Sequence, residues 1–290
     1  MPKRFRASNA AQLMECPGSA NLELAIPGYE DPPEKTTGAA PIGTAAHEIM
    51  EPFTQLGVKE LKEIFDATLE FQSLHYTKRR PIADDLNKTL KFIGDNKWTT
   101  IDIHWFRDLN QFTPKMMRFI AACAERILYL KEKLVGVTYK SEVSTEAQWL
   151  DSAPRVTTDV VIYSPSYLHV IDYKTGQIPV DAAGNAQLMF YAATLLDLAP
   201  NAEEILVEII QPGNNSMWVV RRKFLERWMQ LAREADRRVS SKDLTLVPGD
   251  HCTFCPANPH TRGEKSVARC PAKYNQLYPP RVDTNEIFDL

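Results

Sequence analysis

The chain has 290 residues, 44% of them hydrophobic, with a formal net charge of -3 and a pI near 6.1. That is enough apolar material for one large core, or one core with a helical appendage, and no stretch is long and apolar enough to cross a bilayer. The balance of charge does not mark a nucleic-acid binder, but contact with an anion depends on how charge is distributed rather than on its sum.

In chain order, a short N-terminal cap carrying Cys16 runs into a Pro/Gly-rich linker over 27–41, and together residues 1–41 form the first expected region. Residues 42–134 read as predominantly helical, with Thr44 capping a helix that presents His47 one turn in. Gly94 breaks this region near Asp84 to Asp95, and Trp98, Trp105 and Phe106 follow as packing rings or stacking platforms. Residues 135–245 form the expected central domain. Here the pattern turns to strands: an apolar-polar run from Thr138 to Val143 with Glu142 as a structural or supporting carboxylate, then Thr157 to Tyr163, a Ser164-Pro165-Ser166-Tyr167 turn, and Leu168 to Tyr173. A helix over Asn185 to Leu196, strands at Glu204 to Gln211 and Met217 to Arg222, and a helix from Phe224 to about Ser240 complete it. Residues 246–290 form a cysteine-rich segment and tail.

The most informative stretch is Asp172-Tyr173-Lys174-Thr175-Gly176. On a strand, side chains two apart share a face, so Asp172 and Lys174 place an anion and a cation where the backbone turns away. The hairpin brings Asp159, thirteen residues upstream, beside Asp172. Two carboxylates about 4 Å apart repel by roughly 4 kcal/mol at an effective dielectric near 20. A divalent cation resolves that conflict, and hard oxygen ligands suit Mg²⁺ or Mn²⁺. Lys174 can then orient a water or neutralise charge on a phosphate. Gln187 and Tyr191 lie one turn apart on a helix face.

The cysteines argue independently. Five in 290 residues is no disulfide framework, and no N-terminal apolar run suggests secretion, so reduced thiols in the cytoplasm are expected. Cys123 lies in a helical run and reads as core. Cys16, Cys252, Cys255 and Cys270 sit in loop-like, proline-marked contexts. Four sulfurs can hold zinc or an iron–sulfur cluster, and His251 or His260 can replace a sulfur in a zinc version.

Taken in order, Gly43-Thr44-x-x-His47, Asp159, Asp172-x-Lys174 and Gln187-x-x-x-Tyr191 resemble the PD-(D/E)XK nuclease superfamily, in its branch of RecB-like and CRISPR-associated exonucleases and related phage proteins. The resemblance implies an α/β core with a central mixed sheet flanked by helices, carrying a helical insertion. It implies that His47, Asp159, Asp172 and the Tyr173 carbonyl bind Mg²⁺ or Mn²⁺, that Lys174 is the catalytic lysine, and that Gln187 and Tyr191 support the site or contact DNA. One cysteine before the core and three after it match the relatives whose [4Fe-4S] cluster clasps the terminal segments, with Zn²⁺ as the alternative. Arg155-Val156-Thr157-Thr158 departs from the glycine that many relatives carry before the first aspartate.

The function so implied is a metal-dependent deoxyribonuclease, an exonuclease acting on single- or double-stranded DNA ends, phage-encoded and working in recombination, replication or DNA degradation. It leaves room for a recombination or single-strand-binding protein as partner, and for no membrane. The competing readings are a non-catalytic DNA-binding or assembly module that retains the fold, and a zinc-stabilised adaptor. Candidate DNA-facing patches are Lys78-Arg79-Arg80, Arg221-Arg222-Lys223 and Arg237-Arg238.

Overall fold

The computed structural model describes residues 5–29, 47, 50–73, 114–176, 178–211, 213–258 and 269–277. In chain order its elements are α1 (Ala10–Glu15), α2 (Leu22–Ala25), α3 (Val58–Ser73), α4 (Pro114–Lys133), β1 (Thr138–Glu146), β2 (Arg155–Ser164), β3 (Tyr167–Tyr173), α5 (Ala186–Thr194), β4 (Glu204–Ile210), β5 (Ser216–Arg221), α6 (Arg222–Ser240) and α7 (Pro271–Leu277). Short 3-10 turns separate several of them. Thr44, Trp98, Trp105, Phe106, His260 and the Lys78 to Arg80 patch lie outside the described residues. The chain divides into two compact units, one of residues 36–145 and 156–225, the other of residues 1–35, 146–155 and 226–290.

The larger unit is an α/β assembly on a five-stranded mixed sheet in the order β1-β2-β3-β4-β5. β2 and β3 pair antiparallel through the tight Ser164 to Tyr167 connection, β3 and β4 run parallel, and β4 and β5 pair antiparallel. A parallel pair needs a crossover, and α5 supplies it. Because β3 and β4 are interior strands, their sequences YLHVIDY and EILVEII are almost continuously buried rather than alternating. Their β-branched residues suit the pleated, packed environment.

Helix α4 opens with Pro114, whose fixed φ suits the first helical position. Its apolar residues Phe119, Ile120, Cys123, Ala124, Ile127 and Leu130 fall at helical spacing and pack with Met50, Phe53 and Leu61 against Val160, Ile162, Ile171, Tyr173 and Ile210 of the sheet. Gly136, at φ +74, takes the left-handed conformation that turns the chain from α4 into β1. The N-cap of α5 is Asn185, whose side chain accepts a hydrogen bond from Leu188 N at 3.1 Å.

One charged network crosses this packed interior. Arg126 of α4 grips Glu208 of β4 through Nε and Nη2, which donate to Oε1 and Oε2 at 2.7 and 2.9 Å. His169 Nε2 stands 2.9 Å from Glu208 Oε2, a close contact off the hydrogen-bond axis, and its other ring nitrogen meets the Tyr167 hydroxyl at 3.3 Å. Burial pushes the Glu208 carboxyl up, but His169 and Arg126 outweigh it and hold it below its ordinary value.

The smaller unit has its own core. Leu22, Ile26 and Tyr29 pack with Cys255, Ala257 and Cys270, and Asp236 of α6 accepts hydrogen bonds from the Ser152 backbone and hydroxyl. Gly18 donates its N–H to Thr245 O at 2.9 Å. A Cβ there would sit 2.6 Å from Leu244 O, so this approach admits only glycine.

Removing Arg126 takes away the two-pronged partner of the buried Glu208 carboxylate and leaves it with His169 alone, at a cost of about 3 kcal/mol. Arg126→Met is therefore expected to lower unfolding free energy in urea by about that amount, and Arg126→Met with Glu208→Leu to recover most of it. A single variant as stable as the parent contradicts this account.

Candidate metal centre

The site lies in the larger unit, at the end of the β2–β3 hairpin. The register Val160↔Ile171 brings the preceding residue Asp159 opposite the following residue Asp172. Asp159 Oδ2 accepts the Tyr173 backbone N–H at 2.6 Å, which fixes that carboxylate across the strand gap. Lys174, just past β3, donates its backbone N–H to Ile210 O at 3.0 Å, so the lysine backbone stays tied to the sheet. Loop geometry beyond it is set by Gln211, which donates to Gly176 O and Ile178 O and accepts from Val180 N.

His47 reaches the same place from a distant part of the sequence. It is helical and precedes a 3-10 turn, Glu51–Thr54. That turn is pinned to β1 because the Ser141 hydroxyl donates to Glu51 O at 2.6 Å and the Thr54 hydroxyl donates to Ser141 Oγ at 3.0 Å. His47 Nδ1 lies 3.3 Å from Asp159 Oδ1, and its ring packs edge-on against Tyr173 at 6.0 Å.

Asp172 is almost wholly buried, with a side chain 4% exposed. Lys174 Nζ is 2.8 Å from its Oδ2, but the approach is not aligned as a hydrogen bond. The aligned bond of Lys174 goes to Gln187 Oε1 at 2.9 Å. Gln187 Nε2 in turn donates to the Tyr191 hydroxyl at 2.6 Å. The expected acid, base and amide residues thus form one connected set: His47, Asp159, Asp172, Lys174, Gln187 and Tyr191. The position of Tyr173 in it is through its backbone; its ring is buried against His47 and Phe119, and its hydroxyl has no hydrogen-bond partner among the described residues.

Glu142 of β1, expected to be structural or supporting, stands inside the site. One ligand atom each from His47, Glu142 and Asp159 lie within 4.8 Å of one another, a spacing that could hold a metal ion. Glu142 has φ +47, a left-handed conformation uncommon for glutamate. This departure from strand geometry upsets the two-residue alternation on which a sequence reading of β1 depends.

The electrostatics are lopsided. Burial, then the charge of Asp159, raises Glu142 to about 7. The same two causes, opposed by Lys174, raise Asp172 to about 6. Burial pulls His47 down, but the hydrogen bond and charge of Asp159, with Glu142 and Asp172 behind, leave it above its ordinary value. Tyr191 is raised by burial and by Asp172. Three carboxylates face one lysine and one histidine, so the protein alone does not neutralise them.

A family model described as "Protein of unknown function (DUF2800)" matches residues 4–290 of the chain. The chain belongs to this family. In this DUF2800 protein Cys16, Cys252, Cys255 and Cys270 lie in the smaller unit, and Cys123 lies in the core of the larger one. All five cysteines of the chain are buried and none forms a disulfide. Cys16 Sγ accepts the Val247 N–H at 3.4 Å and Cys252 Sγ accepts the Gly249 N–H at 3.5 Å. Burial raises the Cys16 thiol, and Cys252 and Cys270 add to that rise, so the three lie within electrostatic reach. Both nitrogens of His251 are engaged, Nδ1 with Glu15 Oε2 at 2.7 Å and Nε2 with Val247 O at 2.9 Å, which argues against the zinc-ligand role considered for it.

Two of the candidate basic patches are partly committed to local contacts. Arg222 donates to Ala202 O and Ala199 O, Arg237 pairs with Glu234 and Arg238 with Asp243.

A group whose folded pKa is raised supports folding fully below its unfolded value and loses that support as pH climbs through the folded one. Asp172, rising to about 6, and Glu142, rising to about 7, give the metal-free protein a stability loss from roughly pH 4 to pH 7. In chelator, the melting temperature of the wild type is expected to fall more steeply over that range than that of Glu142→Gln. Parallel profiles contradict the assignment.

Proposed function

We propose that this protein is a metal-dependent deoxyribonuclease that hydrolyses phosphodiester bonds at DNA ends, on a PD-(D/E)XK-like core. The observation that carries the reading is the meeting of His47, Asp159, Asp172 and Lys174, residues far apart in sequence, in one anionic recess. An α/β unit with a mixed sheet, a hairpin bearing both aspartates and a crossover helix bearing Gln187 and Tyr191 supports the fold half of the proposal.

The donor set fits a hard divalent cation: the buried Asp172 carboxylate lacks an aligned hydrogen bond on one oxygen, and its neighbour Asp159 also carries an imidazole contact. His47, Asp159, Asp172 and the Tyr173 carbonyl would hold Mg²⁺ or Mn²⁺. When bound, the cation supplies Lewis-acid polarisation of a scissile phosphate. Lys174 places an ammonium beside that position to orient an attacking water or to offset charge building on phosphorus oxygens. Asp172 and Gln187 hold that ammonium from two sides, and Tyr191 fixes the Gln187 amide by accepting its N–H. A binding module has no need for this arrangement, since an uncompensated carboxylate group costs stability.

The proposal includes a [4Fe-4S] clasp on Cys16, Cys252, Cys255 and Cys270. Backbone N–H groups directed at Cys16 and Cys252 are the contacts that tune such clusters, and Cys252 and Cys270 act electrostatically on Cys16. The terminal segments share one compact unit, so cluster binding would contribute directly to its folding.

Purified protein incubated with linear DNA and Mn²⁺ is expected to release nucleotides. Lys174→Ala is expected to cut the rate by about 10²-fold or more with an unchanged circular dichroism spectrum; a lysine variant that cleaves normally defeats the chemical assignment. For the clasp, anaerobically purified protein is expected to show the visible charge-transfer absorption of thiolate-ligated iron. Cys255→Ala is expected to lose it and to melt earlier, whereas a colourless wild type containing stoichiometric zinc rejects the cluster.

A further inference from the structure

The two edges of the sheet, β1 and β5, are built differently. Along β1 the exposed residues Thr138, Lys140, Ser144 and Glu146 are all polar or charged, and Glu142 bends the strand at φ +47. Charge and a bend are what keep an edge from pairing. β5 has neither over its middle: Met217 and Val219 are exposed there, at 53% and 44%. Just past its end, Phe224 stands exposed against Trp218, with ring centroids 5.7 Å apart. Arg222 donates its N–H to Glu203 O at 2.8 Å, one step beyond the partners Glu204 and Arg221. The antiparallel alternation therefore turns the backbone groups of Trp218, Val220 and Arg222 toward β4, and those of Met217, Val219 and Arg221 outward. No strand lies against these outward groups among the described residues.

The ends of β5 decide what fits this edge. At its start the Ser216 hydroxyl donates to the exposed Asp181 carboxylate, and at its finish Arg221 and Lys223 are exposed. An antiparallel copy of the same strand sets the acidic start of each against the basic finish of the other, whereas a parallel copy sets like against like. We propose that two copies of this chain associate through β5, antiparallel about a two-fold axis at Val219, to give one continuous ten-stranded sheet with five strands from each copy. Val219 is the middle one of the three outward residues, so placing it on the axis pairs all of them: Val219 meets its own copy, and Met217 meets the partner's Arg221. Strand β3 of the two copies then runs in opposite directions, and the two carboxylate recesses open at opposite ends of the joined sheet. The pairing rests on neither the metal nor the nuclease reading.

The test is sedimentation velocity of the full-length wild type at low salt, without DNA or metal, with amide hydrogen exchange read at low and high concentration. The mass is expected to move from one chain to two as concentration rises, and the Met217, Val219 and Arg221 amides to gain protection with it. Val219→Lys, which puts a charge on the axis at an already exposed position, is expected to weaken association at least about tenfold with an unchanged circular dichroism spectrum. Lys223→Glu is expected to weaken it by about tenfold, since the axis counts each change twice, and Asp181→Lys with Lys223→Glu to restore it. A wild type that stays a single chain up to roughly 100 µM overturns the pairing. A dimer that leaves the β5 amides unprotected, or that Val219→Lys does not weaken, uses another face and overturns it too. A double variant as weak as Lys223→Glu overturns the antiparallel match. Because the wild-type mass and exchange are read without any variant, misfolding of Val219→Lys would not rescue the proposal.

Discussion

The pairing of β2 with β3 is the constraint on which the candidate site depends. With Val160 opposite Ile171, the apolar side chains of that pair join the core under α4, and the next residues outward are Asp159 and Asp172. A slip of one residue would turn the apolar set away from the core. The packing of Val160, Ile162, Ile171 and Tyr173 therefore enforces the meeting of two carboxylates that repel each other. Register is set by hydrophobic burial, and the charged recess follows from it.

The same sheet shows how a buried charge is handled when stability alone is at issue. Glu208, on the strand next to Asp172, is met by a two-pronged Arg126 and by His169, and its carboxyl is held below its ordinary value. Asp172 is as deeply buried but is raised instead, because Asp159 stands beside it and Lys174 is shared with Gln187. Two acidic residues on adjacent strands thus have opposite electrostatic outcomes. Interior burial does not by itself leave a carboxylate frustrated here; the frustration is confined to one end of the hairpin, where a ligand could reach it.

The strands, the crossover helix and the hairpin were legible in the sequence because period-two alternation, β-branched runs and an Asn cap act locally. Asp159, Asp172 and Lys174 were legible for the same reason, since a hairpin of known turn length nearly fixes which residues meet. His47 was legible only through a resemblance in motif order: its arrival depends on Ser141 anchoring the Glu51–Thr54 turn to β1, a contact between residues ninety apart with no local signature. Glu142, read from the sequence as structural or supporting, stands closer to His47 and Asp159 than strand alternation implies, because its left-handed backbone is invisible to a pattern that assumes regular strand geometry. Gln211 was missed for another reason. It satisfies three backbone groups of the loop after Lys174, and backbone groups carry no sequence signal.

The position of Glu142 joins these points. A glutamate in left-handed conformation costs of the order of 1 kcal/mol or more, and its half-buried charge next to Asp159 adds to that cost. Neither cost is forced by the sheet, because a glycine would relieve the first and a glutamine the second. Ser141, its neighbour, shows that β1 is not loosely held at this point, since two hydrogen bonds fix it to the turn that follows His47. The bend is therefore built into a well-anchored segment, and it brings the carboxylate close to an imidazole and a second carboxylate. The strain is held in place by good packing, and what it secures among the described residues is the approach of Glu142 to His47 and Asp159.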